Sequence, residues 1–177
     1  RESSLKTAAI KNIRAKVVIN FIPTAIYDPN HCLQSTVKWA KSLEFDPKNV
    51  IFEVVESENI EDIEHLKNIL NFYKSKGFMV ALDDVGSGYS SLNMIVQLLP
   101  DIVKVDREII KEIDKNRANQ SVFTAIVNIA KENNITVLAE GIETKEEYLY
   151  LKDNGASLVQ GYYFAKPSSE PIRKINF

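Results

Sequence analysis

Six short apolar runs in this sequence each deliver an acid, an amide or a lysine at or near their C-terminal end. Asn20 closes VVIN. Glu53 lies inside VIFEVV, with Glu56 just beyond it. Asp83 and Asp84 follow VAL. Lys104 sits inside IVKV, with Asp106 behind it. Glu140 follows VLA, and Glu143 comes after Gly141 and Ile142. Gln160 follows LV. One acid at such a place is usually a helix cap or a turn former. Glu56 and Asp84 could each be that alone, and Lys104 could be a solvated edge residue. A set repeated at every run is less easily explained so. Several carboxylates brought together without countercharge would be prohibitive, and Lys104 supplies one positive charge. Divalent cations solve the remainder. The oxygen donors Asn20, Glu53, Asp83, Asp84 and Glu140 favour Mg²⁺, Mn²⁺ or Ca²⁺.

Adjacent aspartates let one loop touch two metals, with one carboxylate bridging. Two metals about 3.5–4 Å apart clamp the attacking and leaving oxygens of a phosphoryl transfer. A nearby lysine can hold the nucleophilic water or balance phosphate charge. Metal-assisted phosphoester hydrolysis is the chemistry these residues favour. A metal-dependent barrel lyase or isomerase with Lys104 as base is the alternative. Other chemistries lack their parts. His31 and His65 fall in helical segments, which disfavours a His-based zinc centre. Cys32 reads as a small apolar residue in a helix. No G-x-S-x-G elbow, P-loop or G-x-G-x-x-G occurs, and the GSG at 86–88 reads as a turn.

The elements that must position these groups alternate. Runs at 16–21, 50–55, 78–85, 101–106, 135–140 and 157–164 are nearly continuous in apolar residues. That pattern suits parallel strands buried on both faces. Between them, Ile60, Ile63, Leu66, Leu70 and Tyr73 predict a helix over 57–76, ended by Gly77. Val122, Ile126, Ile129 and Ala130 predict another over 120–133. Thr144 and Glu147 make a capping box for a third, ended at Asn154-Gly155. Residues 31–43 and 2–13 also read as helices. Strand, helix, strand with short links means right-handed βαβ units. The predicted fold class is α/β. Six strands fall short of a (β/α)8 barrel, which takes eight strands and about 250 residues. The sheet is either open or a closed barrel; if it is a barrel, roughly two strands are missing, and a start inside a helix-like segment, without an initiator Met, agrees with their loss upstream.

The bulk numbers agree. The 177 residues are 45% hydrophobic, enough for a sizeable core in one domain. A net charge of −2 gives no reason to expect a nucleic acid polymer or an anionic membrane surface as partner. One cysteine excludes an internal disulfide and suits a reducing compartment.

The motifs INF (19–21), FEVVES (52–57), LDDVGSGYSSL (82–92), VKVDRE (103–108), LAEGIET (138–144) and VQGYYFAKP (159–167), in this order, make the sequence resemble the EAL domain family, bacterial phosphodiesterases specific for cyclic di-GMP. The resemblance spans essentially the whole chain. It implies a TIM-barrel-like EAL fold, incomplete here, with residues 1–177 as its C-terminal three-quarters. It implies a two-metal site using Mg²⁺ or Mn²⁺ and inhibited by Ca²⁺. Asn20, Glu53 and Asp83 would hold the first metal; Asp83 would bridge to a second held with Asp84 and Glu140. Asp106 would lie near both. Lys104 would orient the attacking water, with Glu140 a candidate general base. Glu143 and Gln160 would support the substrate, and Glu56 would anchor the loop after Asp84. Cyclic di-GMP would be linearised to pGpG. The resemblance also implies a homodimer, a cytoplasmic domain in a parent that could be membrane-anchored, and fused sensory or GGDEF domains. The Glu-Ala-Leu tripeptide itself is absent, and with it one ligand of the first metal. Weak or no activity is therefore expected of these residues alone. The competing reading is an EAL domain that binds cyclic di-GMP or a protein partner without cleavage. Val55, Val85 and Ser87 depart from the residues common in the family without removing a ligand. Open sheet edges predict strand exchange, oligomers or aggregation.

Overall fold

The computed structural model describes residues 2–13, 15–22, 26, 29–55, 62–87, 91–170, 172 and 174–175. The six strands are β1 (Val17–Asn20), β2 (Val50–Val55), β3 (Met79–Val85), β4 (Ile102–Val105), β5 (Thr136–Ala139) and β6 (Leu158–Val159), in sheet order β1-β2-β3-β4-β5-β6. The β1/β2, β4/β5 and β5/β6 pairs are parallel. Each strand lies beside its predecessor, without the reversal that marks a doubly wound sheet. This is α/β winding of the TIM-barrel type, two strands short of the eight that close a barrel. No helix among the described residues is long and apolar enough to cross a membrane. By contact density the chain forms two compact units, Arg1–Leu82 and Asp83–Phe177.

In the first unit, helices α1 (Glu2–Ile10), α2 (Pro29–Ser42) and α3 (Ile63–Ser75) accompany β1 and β2. Val50, Ile51, Phe52, Glu53 and Val54 are buried in succession, so both faces of β2 are covered, as its unbroken apolar run requires. Phe52 sits between Tyr73, with ring centroids 4.6 Å apart, and Phe78 at 5.3 Å. Helix α3 starts at Ile63 because the Asp62 carboxylate accepts the His65 N–H at 2.8 Å. The first part of the helix predicted over 57–76 lies outside the described residues.

In the second unit, helices α4 (Ser91–Leu98), α5 (Arg107–Ile110), α6 (Arg117–Glu132) and α7 (Lys145–Asp153) accompany β4, β5 and β6. The register is the feature that positions the site. Val105 pairs with Ala139, and Ala139 with Val159. The residue after each strand then donates its backbone N–H to the end of the strand before it: Asp106 to Val85 O (3.0 Å), Glu140 to Val105 O (3.1 Å) and Gln160 to Ala139 O (2.9 Å). Three functional candidates are thus carried to one edge by the sheet ladder.

The sixth strand is shorter than the run at 157–164 predicts. It ends at Val159 because the chain turns at Gly161, whose carbonyl accepts from Phe164 and Ala165 N–H groups. A Cβ at Gly161 would stand 2.1 Å from Ile142 O and 2.3 Å from Ile142 N. Only glycine lets the two backbones approach so closely. Helix α7 begins with the predicted capping box between Thr144 and Glu147. Burial raises the Glu147 carboxyl, but hydrogen bonds from the backbones of Glu143, Glu112 and Thr144 and from the Thr144 side chain outweigh it. The group is held below its ordinary value of 4.5.

Two outcomes follow. Gly161→Ala must displace the Ile142 backbone and should destabilise the protein by roughly 1–3 kcal/mol, the usual cost of overpacking, measured by urea denaturation. Because the folded-state pKa of Glu147 is depressed, its contribution to stability is present above 4.5 and is lost as pH falls through its folded value. Thermal melts at decreasing pH should therefore show a shallower acid-side loss for Glu147→Gln than for the unsubstituted chain.

Candidate metal centre and adjoining groove

An extended strand sends consecutive side chains to opposite faces. Asp83 and Asp84 both lie in β3, yet they belong to one cluster. Asp84 has φ +54, in the left-handed region that Asp enters more readily than most residues. Its carbonyl accepts from both the N–H (3.3 Å) and the Oγ (2.8 Å) of Ser87, which fixes the turn. The kink abolishes the alternation. One carboxylate oxygen from each of Asp83, Asp84 and Glu140 lies within 4.8 Å of the others.

Lys104 enters this cluster from β4, all four of whose residues are buried. Its Nζ lies 2.7 Å from Asp83 Oδ1 and 2.8 Å from Glu140 Oε1. At 7% exposure, the ammonium depends on these partners to offset its desolvation. One cation faces three carboxylates, and Asp84 and Glu140 are both raised. Asp84 is raised above its ordinary value by burial, by the charges of Asp83 and Asp106 and by a hydrogen bond with Asp106, with Lys104 partly opposing. Glu140 is raised by burial despite the hydrogen bond and charge of Lys104. A hard divalent cation would relieve this repulsion. Three converging oxygen donors fit Mg²⁺, Mn²⁺ or Ca²⁺, and no His or Cys joins them among the described residues.

The remaining candidates fall as follows. Asn20 is exposed at the end of β1 and is the register partner of Glu53, which is buried in β2; both belong to the first unit. Asp106 caps α5 through the Glu108 N–H at 2.6 Å. Glu143 is exposed and pairs with Arg107 at 2.6 Å. Gln160 is exposed just past β6. Glu56 lies outside the described residues. Arg107, Gly141, Glu143, Gln160, Tyr162 and Lys166 line an open groove of about 440 Å³ that starts one residue beyond Glu140. Sequence reasoning missed Arg107 and Tyr162. Arg107 directly follows Asp106, which was the available signal. Tyr162 lay in what read as a strand.

Comparison with known proteins places the chain in a family. The family model described as the EAL domain matches residues 2–167. The chain is 33% identical over 149 residues to the probable cyclic di-GMP phosphodiesterase PdeG of Escherichia coli K12, covering 84% of this chain and 29% of that protein. It therefore spans under a third of that relative. A solved structure of a standalone versatile EAL protein from Vibrio cholerae O395, with cyclic di-GMP bound, superposes with a TM-score of 0.93 at 41% identity, covering 99% of this chain and 74% of that one. BlrP1 of Klebsiella pneumoniae, in complex with manganese and cyclic di-GMP, superposes with a TM-score of 0.87 at 29% identity, covering 94% and 43%. On its matched residues, its fold and its converging acids, this chain belongs to the EAL domain family.

Proposed function

We propose that this chain carries the catalytic face of a cyclic di-GMP phosphodiesterase that opens the substrate to linear pGpG. The carrying observation is the Asp83–Asp84–Glu140 cluster with Lys104 held between two of its members. Asp83, Asp84 and Glu140 would hold a divalent cation, Mg²⁺ or Mn²⁺; Asn20, Glu53 and Asp106 are the further oxygen donors that a two-metal mechanism would draw on. When bound, such cations supply charge neutralisation and a water activated at neutral pH.

The chain's own residues do the rest. Lys104 has hydrogen-bond donors to orient the attacking water, and its charge faces the phosphate. Glu140, which meets the Lys104 ammonium at 2.8 Å, is the carboxylate assigned to accept the proton of the attacking water. Attack in line breaks one phosphodiester bond, and the proton lost by water is available to the departing ribose oxygen. Glu143 and Gln160 offer an acceptor and an amide to the substrate along the groove. The domain would work as a homodimer within a larger signalling protein. Because the Glu-Ala-Leu tripeptide does not occur in the sequence, the 177 residues alone should turn over slowly.

Incubation with cyclic di-GMP and Mn²⁺ or Mg²⁺ should yield pGpG by chromatography, and a chelator should stop it. Lys104→Ala should lower the rate by about 10²–10⁴-fold, the usual weight of a positioned proton-handling group, with folding checked by circular dichroism. Turnover undiminished by the chelator would sink the metal mechanism. Tight binding of cyclic di-GMP without product, even after a Glu-Ala-Leu segment is joined upstream, would replace the enzyme by a receptor.

A further inference from the structure

Glu147 makes more bonds than its helix needs. A capping box requires one glutamate oxygen facing the N-cap backbone. Here Oε2 fills that role, accepting the N–H groups of Glu143 (2.9 Å) and Thr144 (3.0 Å), while the Glu147 N–H donates to Thr144 Oγ1 (3.2 Å). The other oxygen, Oε1, accepts the N–H of Glu112 at 2.9 Å, across 35 residues of sequence. Glu147 is 4% exposed, and Glu112 is held at φ +54. One buried carboxylate therefore ties the segment after α5 to the segment after β5.

Arg107, the first residue of α5, and Glu143, in the segment after β5, both line the groove and pair with each other. Gly141 packs so closely on the Arg107 stem that a Cβ there would stand 2.6 Å from Arg107 Cγ. The Arg107–Glu143 pair is about half exposed, 54% and 45%, and such pairs contribute little by themselves. The buried hydrogen bonds of Glu147 are the stronger constraint.

We propose that Glu147 is a positioning residue for the substrate groove: it locks residues 107–112 to residues 140–144 and so sets how Arg107 and Glu143 meet the nucleotide. This rests on the phosphodiesterase reading. Glu147 makes no bond to Asp83, Asp84, Lys104 or Glu140 among its recorded partners, so its effect falls on the nucleotide and not on the metal.

The test uses the 177-residue chain and Glu147→Gln, whose amide cannot accept at both ends. Thr144→Ala is the control, removing the hydroxyl of the capping box while keeping the carboxylate. In the unsubstituted chain the Glu112 amide should exchange with deuterium as slowly as those of Glu143 and Thr144, a measurement that needs no variant. In Glu147→Gln, exchange should rise in 107–112 together with 140–144. Affinity for cyclic di-GMP should fall roughly tenfold, the weight of one hydrogen bond to a charged group, with Mn²⁺ affinity unchanged. Thr144→Ala should leave Glu112 exchange and nucleotide affinity as they were. Fast exchange at Glu112 in the unsubstituted chain, or unchanged exchange over 107–112 in Glu147→Gln, reduces Glu147 to a helix cap. An equal loss of Mn²⁺ affinity also overturns the proposal. An unsubstituted chain without affinity for cyclic di-GMP sinks the phosphodiesterase reading and the substrate half of this proposal, and the exchange data still decide whether the two segments are coupled.

Discussion

The site of the second unit depends on one buried ammonium. Lys104 lies in a strand whose every residue is inside, and there its charge is tolerable only because Asp83 and Glu140 meet it at 2.7 and 2.8 Å. The dependence is mutual. Without the lysine, Asp83, Asp84 and Glu140 would face one another with no recorded cation between them, and removing one partner of a buried pair is more destabilising than the pair is stabilising. Asp84 and Glu140 hold protons more tightly than isolated carboxylates, first because they are buried and then because neighbouring acids outnumber the one cation. The converging oxygens of Asp83, Asp84 and Glu140 could hold a metal ion.

The sheet ladder delivers these groups and the backbone trims their aim. Parallel registers between β4, β5 and β6 place Asp106, Glu140 and Gln160 as successive steps, each N–H bonded to the previous strand. Each of these three is the first residue past its strand, which explains why a polar residue follows directly on those apolar runs. The same ladder brings Gly161 against Ile142, so the turn after β6 and the loop after β5 form one contiguous wall.

Much of this was legible in the sequence, for a physical reason. Strands buried on both faces must be continuously apolar, so VIFEVV and IVKV stood out, although Lys104 could still be read as a solvated edge residue beside the candidate ligand Glu53. Both are buried. The capping box at Thr144 and Glu147 was readable because its donors and acceptors are three residues apart. What escaped was what local pattern does not encode. Helix α5 is one turn long and carries no period. The run at 157–164 contains the aromatics of a strand, but the backbone contact at Gly161 decides otherwise. The bond from Glu147 to Glu112 spans 35 residues, and nothing in either neighbourhood announces it. Strict alternation would also have separated Asp83 from Asp84, and only the left-handed turn at Asp84 reunites them.

That turn narrows what residue 84 can be. Its backbone admits glycine, asparagine or aspartate at low cost, and the cluster asks for a negative charge. The two requirements overlap in aspartate alone. The near neighbour is asparagine, which satisfies the backbone and gives up the charge. A lineage could therefore surrender metal chemistry at this position by a single substitution that the fold would scarcely register. Enzyme and silent receptor would then share one architecture and differ by an oxygen exchanged for an NH₂.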